Sequence, residues 1–385
     1  VSDSALIDVL RSAHESIDRP LGEARSLPAA LYTDPAIFAL ERNALLLTGW
    51  LFVGQTEGLS ERGAYRAVDT AGGPVLLIRG EDGVLRAFAN SCRHRGSILL
   101  QDSGTCRRIV CPYHAWSYHL DGQLAHAPEM DAVEAFNPDD NALAPLRVEC
   151  WAGFLFICFD ETTPPLLETL GDLPVRMASH RPEEMRHVWS TSLDCACNWK
   201  LLLENAVEAY HTGLVHKKTV GAQQSRDIET KGDWVCIQVL SDRSVGTLPD
   251  ATPGLPTIDE LDTDAQAGTY FTILLPTCQL VFSQDCLWWL VVRPVAVDRS
   301  VLEIGGCFPQ SSTELPNFQA LAAPYLHRWE AVGREDVGIL EKQQCALASV
   351  RHRPGLLGPR EGQVRRFDAW VVKRLLEKVT PQEVQ

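Results

Sequence analysis

Two short loops of this chain carry residue types that bind metals through sulfur and nitrogen. The first reads Cys92-Arg93-His94-Arg95-Gly96 and the second Cys111-Pro112-Tyr113-His114, with sixteen residues between His94 and Cys111. Two thiolates and two imidazoles at this C-x-H and C-x2-H spacing suit a [2Fe-2S] centre in which Cys92 and Cys111 hold one iron and His94 and His114 the other. Neutral imidazoles in place of anionic thiolates raise the potential, so the chemistry would be one-electron transfer. The rival is a structural zinc site, because zinc accepts the same four donors. Three neighbours favour the cluster: Gly96 permits a tight turn, Pro112 stiffens the second loop, and Trp116 can shield a metal from water.

A second constellation lies about a hundred residues further on. Residues 198–218 read NWKLLLENAVEAYHTGLVHKK. The first part has helix-forming composition, and Glu204, Glu208 and His211 at i, i+4 and i+7 are expected to share one helical face. Thr212-Gly213 offers a break, after which His216 can swing in from the next turn. Two neutral imidazoles and one carboxylate form a facial triad that holds iron(II) and leaves coordination positions open. By itself a pair of histidines on a half-buried helix is usually structural. An electron carrier in the same chain changes that, since its electrons need a destination. The carboxylate is expected on a later helix, over residues 329–349 (WEAVGREDVGILEKQQCALAS), where Asp336 is the leading choice and Glu335 and Glu341 are solvated-face alternatives.

These residues need elements to hold them. The chain has 385 residues, 45% of them hydrophobic, enough for two domains with substantial cores. Residues 1–44 read as partly helical and are expected to pack on the catalytic domain. Residues 45–160 contain short alternating runs, such as Val75 to Arg79 and Phe154 to Cys158, with turns at Gly72-Gly73 and Gly83. That fits a small all-β domain carrying the two metal loops, with Thr162-Thr163-Pro164-Pro165 as its exit. Residues 161–385 mix strand-like runs (Tyr270 to Leu275, Gln279 to Ser283, Leu287 to Arg293) with the carboxylate helix, an α+β pattern.

No apolar run approaches the ~18 residues of a membrane span, and the first residues do not read as a secretory leader, so a soluble, cytoplasmic protein is expected. The other cysteines of the twelve are scattered and read mostly as small buried apolar residues rather than disulfides. A net charge of −15 argues against a nucleic-acid partner.

With Cys92, His94, Cys111 and His114 followed by E-N-A-V-E-A-Y-H-T-G-L-V-H, the chain resembles the terminal oxygenase (alpha) component of Rieske non-heme iron oxygenases over nearly its whole length. The resemblance implies an α+β fold: a small all-β Rieske [2Fe-2S] domain plus a catalytic domain with a helix-grip-like antiparallel sheet. It implies mononuclear Fe(II) on His211, His216 and Asp336. It implies that Glu208 bridges to a Rieske histidine of the neighbouring subunit in a head-to-tail homotrimer, since a one-chain path is too long in that family. Glu rather than Asp at 208 is similar to the carnitine and choline monooxygenase branch. No flavin, NAD or plant-type ferredoxin motif is visible, so electrons are expected from a separate NAD(P)H-dependent reductase, with or without a ferredoxin. Arg93, Arg95, Arg107 and Arg108 flank the loops and can steer an acidic partner.

The expected reaction is O2-dependent hydroxylation of a small molecule, by monooxygenation or N-demethylation of a quaternary ammonium or betaine-type compound. Phe271, Phe282, Trp288, Trp289 and Phe308 are candidates for an aromatic substrate cage. The alternatives are an aromatic-ring hydroxylating oxygenase, a Rieske electron-transfer protein without oxygenase activity, and a zinc-stabilised binding protein.

Overall fold

The computed structural model describes residues 3–251 and 254–380. The chain divides into two compact units, residues 47–166 and residues 1–46 with 167–385.

The unit 47–166 is built from ten strands. They are β1 (Leu51–Gln55), β2 (Ala64–Thr70), β3 (Gly73–Arg79), β4 (Leu85–Ala89), β5 (Ser103–Thr105), β6 (Ile109–Val110), β7 (Ser117–Tyr118), β8 (Leu124–His126), β9 (Pro145–Trp151) and β10 (Phe154–Cys158). Seven form one sheet in the order β1-β10-β9-β4-β3-β2-β5, and β6-β7-β8 form a second, smaller sheet. The fully buried runs in β3 and β10 follow from their continuous branched and aromatic composition, which packs on both faces. One core of this unit, including Leu76, Ile78, Phe88, Trp116 and Tyr118, encloses Cys92 and Cys111.

The other unit carries a seven-stranded antiparallel sheet. Its strands are β11 (Met185–Cys195), β12 (Ser225–Ile228), β13 (Trp234–Leu240), β14 (Gly268–Leu274), β15 (Cys278–Phe282), β16 (Leu287–Ala296) and β17 (Arg299–Pro309), ordered β11-β17-β16-β15-β14-β13-β12. Side chains alternate faces along each strand. Phe271, Val281, Trp288 and Gly306 stand in one cross-strand row. The long helix Phe318–Leu347 lies over this face and stacks Trp329 on Trp288, ring centroids 5.4 Å apart. Gly306 is what lets Trp329 in, since a Cβ there would stand 2.1 Å from its ring. The carboxylate helix therefore begins eleven residues before the expected Trp329, running through Pro324.

The N-terminal helix Asp3–Ile17 and the C-terminal helix Gly362–Val379 pack together, tied by Arg365 Nε donating to the Ile17 carbonyl at 2.8 Å. A buried ion pair fastens the N-terminal segment to the helix Trp199–Ala206. Lys200 Nζ lies 2.6 Å from Glu41 Oε1, Trp199 Nε1 donates to Glu41 Oε2, and Asn198 Oδ1 accepts from Lys200 Nζ. Both charged side chains are wholly buried, which is tolerable because they pair with each other, both Glu41 oxygens accept, and Lys200 has a second acceptor. Among the described residues no helix is long and apolar enough to cross a membrane. All twelve cysteines are free, and Cys150 and Cys345 are exposed rather than buried as expected.

Candidate metal centres

In the unit 47–166 the two loops are built alike. Gly96 N–H donates to the Cys92 carbonyl and Cys92 N–H to the Ser97 carbonyl; Ala115 N–H donates to Cys111 and Cys111 N–H to Trp116 in the same pattern. Each loop then turns through the left-handed region, at Gly96 (φ +74°) and Ala115 (φ +58°). Glycine does this freely and alanine at a cost of about 1 kcal/mol. The result is a pair of thiols, each 3% exposed, and two imidazoles whose centroids are 4.8 Å apart. His94 stacks on Trp116 at 4.9 Å with nearly parallel planes, and its buried Nδ1 has no hydrogen-bond partner. Tyr118 Oη lies 3.3 Å from Cys92 Sγ and accepts the Arg93 N–H.

An orphaned imidazole nitrogen beside two buried, unbridged thiols fits a metal cluster. A single zinc would need all four donors gathered on one point. Among the described residues the one group of three or more donors that converges so closely, within 4.8 Å, is elsewhere: His211, His216 and Asp336.

That second group forms at the end of a helix that stops early. Asn198 caps Trp199–Ala206 through its side chain, and the helix ends at Ala206 with Val207 as its C-cap. Glu208, Ala209 and Tyr210 are not helical, and a short turn, Thr212–Val215, starts with His211 as its cap. Two expectations are thus corrected. Glu204, Glu208 and His211 do not share a helical face, and Thr212-Gly213 begins a helix instead of breaking one. The cause is local: Glu208 Oε2 accepts the N–H groups of Tyr210 and His211, so its side chain competes with the hydrogen bonds that would extend the helix. Glu204 instead points into the packed helices, where it accepts from Tyr32 Oη at 2.7 Å.

His211 Nε2 and His216 Nε2 face each other at 3.2 Å, and Asp336 Oδ1 stands 3.5 Å and 3.0 Å from them. Donor-to-donor spacings near 3 Å are the edges of a coordination polyhedron with bonds of about 2.1 Å. Asp336 Oδ1 is buried and makes no directed hydrogen bond, so its lone pair and those of the imidazoles converge on one point. Each imidazole is fixed from behind by a carboxylate. Glu208 Oε1 is 2.5 Å from His211 Nδ1, and Glu335 Oε2 is 2.8 Å from His216 Nδ1 and accepts Thr219 Oγ1. Both rings then carry their proton on Nδ1 and offer Nε2 to a metal.

The triad opens on a cavity of about 80 Å³ with largely apolar walls from Leu203, Phe271, Trp288, Ile304 and Trp329. Of the five aromatic candidates only Phe271 and Trp288 line it. Phe282 packs on His180 and Trp289 stacks on His187, both from the opposite face of the sheet; Phe308 is buried among Phe318, Tyr325 and Trp329. Two residues near the site escaped the sequence reading. Glu335 was expected on a solvated face, and Arg328, which lines the cavity, carries no local signal because arginine on a helix ordinarily reads as surface.

Residues 49–137 match the Rieske [2Fe-2S] domain, and residues 182–377 match the catalytic domain of the ring hydroxylating alpha subunit. The chain belongs to the ring-hydroxylating alpha subunit family. Members use a Rieske cluster and a mononuclear iron with O2, and the donor sets above fit both groups.

Among curated family relatives, the glycine betaine monooxygenase oxygenase subunit of Chromohalobacter salexigens is 34% identical over 226 residues, 58% of this chain and 51% of that one. The carnitine monooxygenase oxygenase subunit of Acinetobacter baumannii is 36% identical over 196 residues, 50% of this chain and 53% of that one. The chain spans about half the length of these curated relatives. The crystal structure of the quaternary ammonium Rieske monooxygenase CntA with L-carnitine matches with a TM-score of 0.77 at 25% identity, covering 94% of this chain and 98% of the other. Naphthalene 1,2-dioxygenase from Rhodococcus shares the fold, with a TM-score of 0.79 at 19% identity over 97% and 99% of the two chains.

Proposed function

We propose that this chain is the terminal oxygenase component of a multi-part system that hydroxylates a quaternary ammonium or betaine-type compound. The observation that carries the proposal is the convergence of His211, His216 and Asp336 on one point at the wall of a largely apolar cavity, in a chain that also bears a Rieske domain. Cys92, His94, Cys111 and His114 hold the cluster; His211, His216 and Asp336 hold iron(II). When bound, the iron supplies open positions at which O2 is activated beside the substrate.

The chain's own groups do the rest. Glu208 and Glu335 hold the imidazoles in one tautomer. The apolar walls exclude water and place a C–H bond near the triad. One substrate C–H, one O2, two electrons and two protons give one C–OH and one water. Where the hydroxylated carbon adjoins nitrogen, the product separates into an aldehyde and an amine.

The electrons come from a separate NAD(P)H-dependent reductase, directly or through a ferredoxin. Exposed Arg93, Arg95, Arg107 and Arg108 around the cluster loops are the docking patch for it. Glu208 lies beside the exposed Tyr210 and Leu214, at 66% and 82% exposure, which suits a homotrimer contact in which Glu208 meets a Rieske histidine of a neighbouring subunit. Free thiols and a cluster built from reduced cysteines suit the cytoplasm.

The largely apolar cavity wall also favours a second reading, hydroxylation of an aromatic ring. A bare electron-transfer role leaves the triad without a use. Oxygen uptake by the reduced protein, with product analysis on quaternary amines and arenes, decides. Uptake coupled to aldehyde and tertiary amine supports the first reading, phenols or dihydrodiols the second, and cluster reduction with no coupled uptake the electron carrier.

A further inference from the structure

The cavity wall holds a buried cation that forms no ion pair among the described residues. Arg328 is 4% exposed, lines the cavity together with Asp336, and its Nε has no hydrogen-bond partner. No described residue forms an ion pair with it; its one close companion is the ring of Trp288, 5.1 Å from the guanidinium carbon. Burial lowers its pKa to about 10, opposed by Asp336 and Cys286, so it stays cationic at neutral pH. Asp336 is the acid whose field reaches it, and that carboxylate is neutralised when it takes a metal. Asp285 is engaged by Tyr325 Oη. A buried guanidinium without an acid is costly to the fold unless a ligand completes it.

We infer that Arg328 is the anchor for a carboxylate on the substrate, so that the cavity takes an acid whose oxidised carbon lies at the triad and whose carboxylate lies at Arg328. The inference rests on the oxygenase reading and deepens it. Arg328 and Asp336 are eight residues apart on one helix, a rise of about 12 Å. A substrate bridging them carries its carboxylate several bonds from the carbon that reacts. The guanidinium already occupies a face of Trp288, so a ligand cation does not take that face. A neutral arene or a carboxylate-free amine leaves Arg328 unpaired.

The test is calorimetric binding to the iron-loaded, anaerobic enzyme with three probes of matched shape: γ-butyrobetaine, butyltrimethylammonium, which lacks the carboxylate, and 5,5-dimethylhexanoate, which lacks the positive charge. The expected result is that γ-butyrobetaine binds at least about tenfold more tightly than butyltrimethylammonium, that Arg328→Gln abolishes the preference, and that Arg328→Lys keeps part of it. Dimethylhexanoate binding as well as γ-butyrobetaine, and losing affinity in Arg328→Gln, upholds the anchor and removes the quaternary ammonium reading. Equal affinity with and without the carboxylate, a preference that survives Arg328→Gln, or no binding of either carboxylate overturns the anchor. Melting of the ligand-free Arg328→Met variant is a second readout. A side chain kept for a ligand predicts a melting temperature no lower than wild type, and a sharp fall means that Arg328 holds the fold and overturns the assignment.

Discussion

Glu335 Oε2 stands 2.8 Å from His216 Nδ1, on the opposite side of the ring from the Nε2 that faces Asp336. Adjacent residues of one helix thus reach both ends of the same imidazole, one orienting it and the other completing the triad. Glu335→Ala removes the orienting carboxylate and leaves all three donors in place. The expected loss is about 10- to 100-fold in iron affinity, measured by competition with a chelator of known strength. An unchanged affinity would make Glu335 a bystander.

Glu208 plays the matching part for His211 and is also the residue proposed to meet a neighbouring subunit. Glu208→Gln keeps an acceptor for the Tyr210 and His211 N–H groups, so both metals should stay bound. Reoxidation of the reduced cluster in a single turnover should slow by about 10-fold or more. Stopped-flow absorbance reads this directly, and an unaltered rate with full metal content contradicts the bridge.

Tyr118 Oη is placed to donate to Cys92 Sγ. A hydrogen bond to a cluster sulfur favours the reduced, more negative state. Losing about 1 kcal/mol of that preference corresponds to about 40 mV for one electron. Tyr118→Phe is expected to lower the midpoint potential by that order in a redox titration; no shift, or a rise, means that the hydroxyl serves only the Arg93 N–H.

A buried carboxyl pair links the helix before the triad, through Glu204, to the C-terminal helix, through Asp368. Burial pushes the Glu204 carboxyl up to about 7, and Asp368 is also raised by burial and by Glu204 beside it. The oxygens of Asp368 find no other donor among the described residues, so the pair keeps a proton that the unfolded chain releases near pH 4.3. The folded state binds more protons between about pH 4.3 and 7. Its contribution to stability is therefore full below that window and falls as pH rises through it, at up to about 1.4 kcal/mol per pH unit for one proton. Glu204→Gln should flatten this slope and raise the melting temperature at pH 8 relative to wild type, with little change at pH 4.5. Parallel melting curves for the two proteins from pH 4.5 to 8 contradict a shared proton.

The cluster loops were legible because all their information is local: four donors, a glycine at the turn and a tryptophan beside it lie within twenty-five residues. The strands around them were legible for a similar reason, since the runs at Val75 and Phe154 show their burial in their own composition. The triad was harder. His211 and His216 were visible, but the helix they seemed to extend ends at Ala206, because the Glu208 side chain takes backbone N–H groups that a longer helix would use. Glu335 and Arg328 were hidden in another way. On a charged helix, burial depends on what packs across from it, and only Trp288, Trp329 and His216 reveal which charges are inside. The aromatic candidates divide on face and position, which requires knowing the register: Phe271 and Trp288 share a row, Trp289 and Phe282 point away, and Phe308 sits further along the strand.

The most direct measurement is iron, zinc and acid-labile sulfide per chain, with a visible spectrum, on protein purified without oxygen, for wild type and Asp336→Ala. The wild type is expected to hold about three irons and two sulfides, and the variant about two irons with undiminished sulfide. Zinc without sulfide, or an iron content that Asp336→Ala leaves unchanged, would contradict a cluster and a separate iron site.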